Sequence, residues 1–126
     1  MRRLARGFLC ALNGVRVTFR SERNFKIHIA AMVIVIIVGV YLELSLPAWG
    51  LVIFAIGFVL VAELFNTAVE RIGDALAGGK QSQAVKKIKD ISAAAVLMAA
   101  LAALAIGVLF LLIPFIQKIL ALWQGD

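Results

Sequence analysis

The stretch that decides the fold is residues 47–74, PAWGLVIFAIGFVLVAELFNTAVERIGD. Its first part, residues 47–62, carries no charge, which is typical of a helix that crosses a lipid bilayer. Polar residues then recur at helical spacing on one face: Glu63, Asn66, Glu70 and Asp74. Carboxylates next to a lipid-embedded segment are costly unless they face protein or water. The stretch therefore predicts a membrane helix with a functional site at its polar end.

The composition places the chain among membrane proteins of a single domain. It has 126 residues, of which 63% are hydrophobic, and its mean hydropathy is +1.04. A soluble domain is about 45–50% apolar, so the excess is expected to face lipid. The net charge of +6 comes from cations that flank apolar segments, which favours anionic lipid headgroups over nucleic acid as partner. The single cysteine, Cys10, excludes an internal disulfide bond.

The N-terminal segment, residues 2–23, has the pattern of an amphipathic surface helix. Its apolar side chains cluster on one face of the helix and its arginines gather on the opposite face. A basic amphipathic helix of this kind lies in the membrane interface with its cations toward the phosphates. We therefore expect it to lie on the membrane rather than to cross it.

Three apolar segments follow that are long enough to cross the bilayer. The predicted spans are residues 27–46, 47–76 and 91–116. Pro47 suits the first turn of the second span, and Gly78-Gly79 suits its end. The connection Lys80–Asp90 is polar and is expected to be partly helical, and Pro114 is expected to kink the end of the third span.

Small residues recur every four positions along the third span. They are Ala95, Ala99, Ala103 and Gly107. Such a stripe lets helix backbones approach closely, so it predicts tight packing of this span against a neighbouring helix.

The distribution of cations predicts the orientation. Of the 13 Lys and Arg residues, seven precede the first span and five lie between the uncharged part of the second span, residues 47–62, and the third span. By the positive-inside rule, the N-terminus and the connection between the second and third spans face the cytoplasm. The polar end of the second span is therefore expected at the cytoplasmic boundary.

The chemistry that this polar layer could support is suggested by its residue types. Glu63 is expected just inside the rim, with Glu70 two turns, or about 10 Å, further toward water. Topology brings Glu22, Lys89 and Asp90 to the same layer. These groups suit a metal-bound polyphosphate beside a lipid hydroxyl. The alternative is a purely structural set of ion pairs between helices, such as Glu70 with Lys89.

Five elements of the sequence resemble the bacterial integral-membrane diacylglycerol kinase family. They are the string ELFNTAVE at residues 63–70, Asp74, the pair Lys89-Asp90, AAAVL at residues 93–97, and ERNFKIH at residues 22–28. The last string looks like the undecaprenol kinase branch of the family. The resemblance implies homotrimers in the bacterial inner membrane, each subunit with a surface helix and three membrane helices. It also implies phosphorylation of a lipid hydroxyl by MgATP in sites shared between subunits.

The same resemblance implies the residues that carry out the transfer. Glu63 matches the family's general base, and Asn66 matches the polar residue beside it. The sequence departs from the proteobacterial pattern at His28, where a carboxylate is usual. We interpret His28 as an interfacial residue at the start of the first span, with lipid selection as the alternative role.

Further matches imply a nucleotide site. Glu22 and Glu70 match the carboxylates that hold magnesium together with ATP. Lys89 and Asp90 match a pair that contacts the nucleotide, and Arg3 matches an N-terminal arginine of the ATP site.

We therefore predict an all-α membrane lipid kinase formed by a single domain over residues 1–126, with undecaprenol as acceptor and diacylglycerol as the alternative. Two other classes stay open, a small proton-coupled transporter and a structural membrane oligomer. A transporter would favour charges near the middle of a span. Here the polar residues gather at one edge, and this favours the kinase.

Overall fold

The computed structural model describes residues 2–78 and 82–124, and every regular element in these ranges is helical. The elements are α1 (Arg2–Ser21), α2 (Arg23–Tyr41), α3 (Leu46–Ala77), α4 (Gln83–Gly107), a π-helical segment (Val108–Leu112) and α5 (Ile113–Gln124). Three helical stretches are long and apolar enough to cross a membrane: α2, α3 and the continuous stretch Gln83–Gln124. The prediction of an all-α fold with three such helices is confirmed.

The break between α1 and α2 consists of a single residue. Glu22 has extended backbone angles, φ −99° and ψ 120°, and its N–H donates to the carbonyl of Thr18 at 2.8 Å. Helix α2 therefore begins at Arg23, four positions before the start predicted for the first span. Hydropathy marks where a helix enters lipid, whereas the helix itself extends through its polar first turn.

The connection between α2 and α3 is short and tightly packed. It contains Glu43 in the left-handed region, with φ +53°, and Pro47 lies in the first turn of α3 as predicted. Gly39 of α2 faces the indole of Trp49, where an added Cβ would lie 2.8 Å from the ring atom Cη2. Close approach of the indole therefore requires glycine at this position and holds the two helices together at this end.

Helix α3 is the centre of the molecule, since it packs most extensively against α4 and also contacts α2. Its buried residues recur three or four positions apart for most of its length and include Val52, Ala55, Val59, Glu63, Asn66 and Thr67. The polar residues of α3 thus continue the face that the apolar residues begin. The helix ends at Ala77, and Gly78 follows in the left-handed conformation with φ +53°, as predicted for a glycine stop. Gly79 and Lys80, which the sequence assigned to the break and the connection, lie outside the described residues.

The third span is longer than the sequence predicted, because α4, the π-helical segment and α5 form one helical stretch of 42 residues. The π-helical segment ends at Leu112, two positions before Pro114. Proline has no N–H to donate, and its ring crowds the carbonyl four residues earlier. The wider π turn relieves this crowding. Just before the proline predicted to kink the helix, the backbone hydrogen bonds therefore span five residues instead of four.

The small-residue stripe of α4 is only partly a packing surface. Ala99 is 1% exposed and packs in the core, whereas Ala95 is exposed. Ala103 and Gly107 line a cavity. Within this chain the predicted close packing is seen at Ala99.

Candidate active site

The buried carboxylate of Glu63 has one direct partner on another helix. Its side chain is 4% exposed, and its Oε1 atom lies 3.1 Å from Nε2 of His28 on α2. The contact offsets part of the cost of burying the carboxylate. Sequence reasoning missed this contact, because it placed His28 at the helix start without a partner.

Asn66, one turn beyond Glu63, connects α3 to α4. Its Nδ2 donates to Glu70 Oε1 at 3.1 Å, and its Oδ1 accepts a hydrogen bond from Ser92 Oγ at 2.7 Å. The Ser92 hydroxyl also lies 2.9 Å from the carbonyl of Lys89. A donor on one side and an acceptor on the other fix which way the amide points. Ser92 was absent from the sequence-predicted site, although it follows Lys89 by three positions and so lies on the same helical face.

The cation of Lys89 pairs with Asp74, and the pair joins α3 to α4. The sequence left open an ion pair between Lys89 and Glu70, but Glu70 instead accepts the amide of Asn66. Asp90, the other predicted nucleotide contact, is exposed on α4 beside Lys89. Asp74 is the last residue of the polar face of α3, and its ion pair with Lys89 brings α4 to that face.

Glu22 is held close to α3 by Arg71, the residue that follows Glu70. The Arg71 Nη2 atom lies 3.7 Å from Glu22 Oε1 and donates to Ser21 Oγ at 2.7 Å. Ser21 Oγ in turn lies 2.8 Å from Glu22 Oε1. This contact brings the end of α1 to the turn of α3 that carries Glu70. Sequence reasoning predicted the shared layer but missed Arg71 and Ser21.

Arg3 stands apart from the other predicted residues. It is exposed near the start of α1, where it lines a shallow hollow with Leu4, Gly7 and Phe8. Over residues 2–78 and 82–124, no hydrogen bond or ion pair joins it to Glu22 or Glu70. The fold of the described residues does not bring this arginine into the cluster.

The acidic residues offer oxygen ligands but not a complete metal site. In the part of the chain that the structure describes, no group of three or more His, Cys, Asp or Glu residues could hold a metal ion. Glu22 and Glu70 supply hard carboxylate oxygens, and magnesium is commonly bound by one or two carboxylates plus substrate phosphates and water. Glu22 and Glu70 therefore suit a magnesium ion that is bound together with a polyphosphate. They suit less well an ion held by the protein alone.

An apolar cavity of about 280 Å³ lies between α2, α3 and the third helical stretch. His28 is its only polar lining residue among the described ones, and the rest are alanine, glycine and larger aliphatic side chains, including Met32. Along α3 the lining runs from Leu60 back to Val52, about 12 Å of helix that leads away from Glu63 into the apolar span. His28 therefore connects an apolar space with the buried carboxylate.

The fold and the comparisons with known proteins together define the class: the chain is a membrane lipid kinase. It belongs to the prokaryotic diacylglycerol kinase family, whose model matches residues 9–111.

Three curated relatives show how the similarity is distributed. The undecaprenol kinase of Bacillus subtilis is 38% identical over 112 residues, which cover 89% of this chain and 90% of that protein. The diacylglycerol kinase of Synechocystis sp. is 37% identical over 110 residues, covering 87% of this chain but 63% of that protein. The diacylglycerol kinase of Escherichia coli is 26% identical over 90 residues, covering 71% of this chain and 73% of that protein. The chain therefore spans most of the Bacillus relative and less than two thirds of the Synechocystis one.

Proposed function

We propose that this lipid kinase transfers the γ-phosphoryl group of ATP to undecaprenol. Sequence identity alone does not choose the acceptor, because relatives named for undecaprenol and for diacylglycerol are 38% and 37% identical. The observation that carries the proposal is the cavity beside His28, whose other described lining side chains are all apolar. A polyprenol has one long hydrocarbon chain and no ester carbonyls, so it suits a cavity whose described lining beyond His28 has no side-chain hydrogen-bond donor.

Glu63 acts in this proposal as the general base. Its carboxylate accepts the proton of the acceptor hydroxyl while that oxygen forms a bond to the γ-phosphorus and the bond to the leaving oxygen of ADP breaks. Burial of Glu63 at 4% side-chain exposure keeps bulk water from competing with the lipid hydroxyl. Asn66 holds the adjoining turn of α3 against α4 through Ser92.

The nucleotide is proposed to occupy the wetter layer beyond Asn66. Glu22 and Glu70 would bind magnesium together with the phosphates of ATP, and the ion would offset charge on the phosphoryl oxygens. Lys89 would exchange its partner Asp74 for phosphate, since both are anionic oxygen acceptors. Asp90 and Arg3 are proposed as further nucleotide contacts, with Arg3 reaching the site of a neighbouring subunit.

The assembly and its orientation are also proposed. The chain forms one domain over residues 1–126 and assembles into homotrimers in the bacterial inner membrane. Helix α1 lies in the interface, and the N-terminus and the site face the cytoplasm. The cation distribution supports this orientation, since 12 of 13 Lys and Arg precede the first span or lie between residue 62, where the uncharged part of the second span ends, and the third span.

The decisive experiment assays purified protein with radiolabelled ATP on undecaprenol and on diacylglycerol in the same mixed micelles. We expect a higher kcat/KM on undecaprenol and a loss of about 10²-fold or more for Glu63→Gln. Glu43→Gln is the matched control, because it makes the same chemical change in the connection after α2. A preference for diacylglycerol would reverse the acceptor assignment, and near-normal turnover of Glu63→Gln would end the general-base assignment.

A further inference from the structure

His28 occupies a position that the reaction outlined above does not yet use. It is the polar member of the described cavity lining, and its Nε2 atom is 3.1 Å from Glu63 Oε1. His28 therefore lines the cavity proposed for the lipid chain. It also contacts the Glu63 carboxylate that is proposed to accept the proton of the lipid hydroxyl. His28 is 24% exposed, whereas Glu63 is 4% exposed, so the histidine covers the carboxylate from the side of α2.

We propose that His28 is a positioning residue for the general base, and this inference rests on the proposed function of Glu63. The Nε2–H group of His28 binds Oε1 and leaves Oε2 as the carboxylate oxygen that accepts the proton of the acceptor hydroxyl. The imidazole gains and loses no proton in this step. It fixes the plane of the carboxylate relative to the cavity.

A fixed carboxylate plane matters because the terminal torsion of a glutamate side chain is broad. Without a partner, the two oxygens of Glu63 would exchange positions and sample a range of orientations. Misplacement of a reacting group by about 1 Å can lower a rate by about 10²-fold. The imidazole nitrogen 3.1 Å from Oε1 restricts this freedom, and this separation lies within the distance range of an N–H···O hydrogen bond.

The cavity supplies the second half of the argument. Its volume of about 280 Å³ lies just below the range for small-molecule sites, about 300–1,000 Å³. It can hold the hydroxyl-bearing end of a lipid chain but not a whole lipid. The end of the chain then lies beside His28, and the hydroxyl is presented to the free oxygen of Glu63.

The test compares three substitutions at one position. In glutamine the donor nitrogen is three bonds from Cβ, as Nε2 is in histidine, whereas in asparagine it is two bonds away and in leucine it is absent. His28→Gln should therefore keep kcat within about threefold of the unsubstituted protein. His28→Asn and His28→Leu should lower kcat by about 10- to 100-fold while KM for ATP stays within about twofold. Asparagine also serves as the polar control in case leucine impairs folding.

A double substitution distinguishes positioning from a structural role. If His28 acts through Glu63, adding His28→Asn to Glu63→Gln should cause no further loss of kcat. Equal activity of the glutamine and asparagine variants, or losses that multiply in the double variant, would overturn the inference. Normal turnover of Glu63→Gln would overturn the proposed function itself, and an inactive Glu63→Gln beside a normal His28→Asn would overturn only the role of His28.

Discussion

The hydroxyl of Ser92 donates to the side-chain oxygen of Asn66 at 2.7 Å and so joins α4 to the polar face of α3. The other side of the same amide donates to Glu70. Asn66 therefore connects three points: the turn after the proposed base, a proposed metal ligand and the helix that carries Lys89. A shift of α4 would therefore change the orientation of the Glu70 side chain through the Asn66 amide.

Replacing Ser92 by alanine tests this connection. The buried Oδ1 atom of Asn66, a residue 8% exposed, would lose its partner on α4. Hydrogen bonds between membrane helices average about 0.6 kcal/mol, so we expect a loss of about 0.5–1 kcal/mol in stability. Turnover should fall by about threefold, because the Asn66 amide would no longer hold Glu70 in one orientation.

Thermal unfolding in detergent and steady-state kinetics measure the two effects. Ser92→Thr keeps the hydroxyl and is the matched control, so it should stay close to the unsubstituted protein in both. An alanine variant with unchanged stability and unchanged turnover would show that the Asn66–Ser92 contact is dispensable.

The membrane itself made much of this fold predictable from sequence. A run without charge such as residues 47–62 can satisfy its backbone in lipid only as a helix, and the polar residues after it had to face protein or water. The sequence therefore predicted α3, its proline start and its glycine stop. Helix ends inside polar segments, such as the start of α2 at Arg23, were less predictable because hydropathy changes later than the backbone does.

Contacts between helices were beyond sequence reasoning, because they depend on how each helix is rotated about its axis. His28 reaches Glu63 only when that face of α2 turns toward α3, and the approach of Gly39 to Trp49 at the other end of α2 helps to set this rotation. The partner of Lys89 is a similar case. Asp74 and Glu70 lie about one turn apart on one face, and only the register of α4 selects Asp74.

Glu22 and Glu70 offer a test of shared metal binding. Changing either to glutamine should raise the magnesium concentration needed for half-maximal activity, since each removes a charged oxygen ligand. If both bind one ion, the double variant should be no worse than the poorer single variant. Magnesium titrations of kcat/KM at fixed ATP provide the measurement.

Glu43→Gln serves again as the control, because Glu43 lies at the opposite end of α2 from Glu22 and should leave the magnesium requirement unchanged. If the losses at Glu22 and Glu70 simply multiply, the two carboxylates act independently and the shared-ion proposal is wrong.

Arg71 competes with any cation for Glu22, because its guanidinium lies 3.7 Å from the same carboxylate. Both side chains are partly exposed, at 50% and 29%, so the pair is worth at most about 1 kcal/mol. Arg71→Gln should therefore lower the magnesium concentration for half-maximal activity by up to about fivefold. Lys87→Gln removes an exposed cation from α4 and is the charge-matched control. A higher magnesium requirement in Arg71→Gln would show instead that Arg71 is needed to orient Glu22 for the ion.

The last prediction concerns stability at the end of the molecule away from Glu63. Lys118 of α5 donates to the carbonyl of Tyr41, the last residue of α2, at 2.8 Å, and its ammonium lies 4.5 Å from the centre of the Tyr41 ring. Phe115 packs against the same ring, with the two ring centres 6.1 Å apart. A cation at a helix C-terminus satisfies a free carbonyl and interacts favourably with the helix dipole, and the contact with the ring adds to this.

Lys118→Met keeps most of the aliphatic stem but removes the charge and the donor. We expect it to lower the free energy of unfolding by about 1 kcal/mol, seen as a midpoint of thermal unfolding lower by a few degrees in detergent. Turnover at 25 °C should stay unchanged, because His28 lies near the start of α2, 13 positions before Tyr41, and Glu63 lies 17 positions after the start of α3. Lys118→Arg keeps a cation over the ring and should retain most of the stability. If methionine and arginine lower the midpoint equally, the length of the lysine side chain matters more than its charge; if neither lowers it, the contact between Lys118 and Tyr41 does not hold α5 to α2.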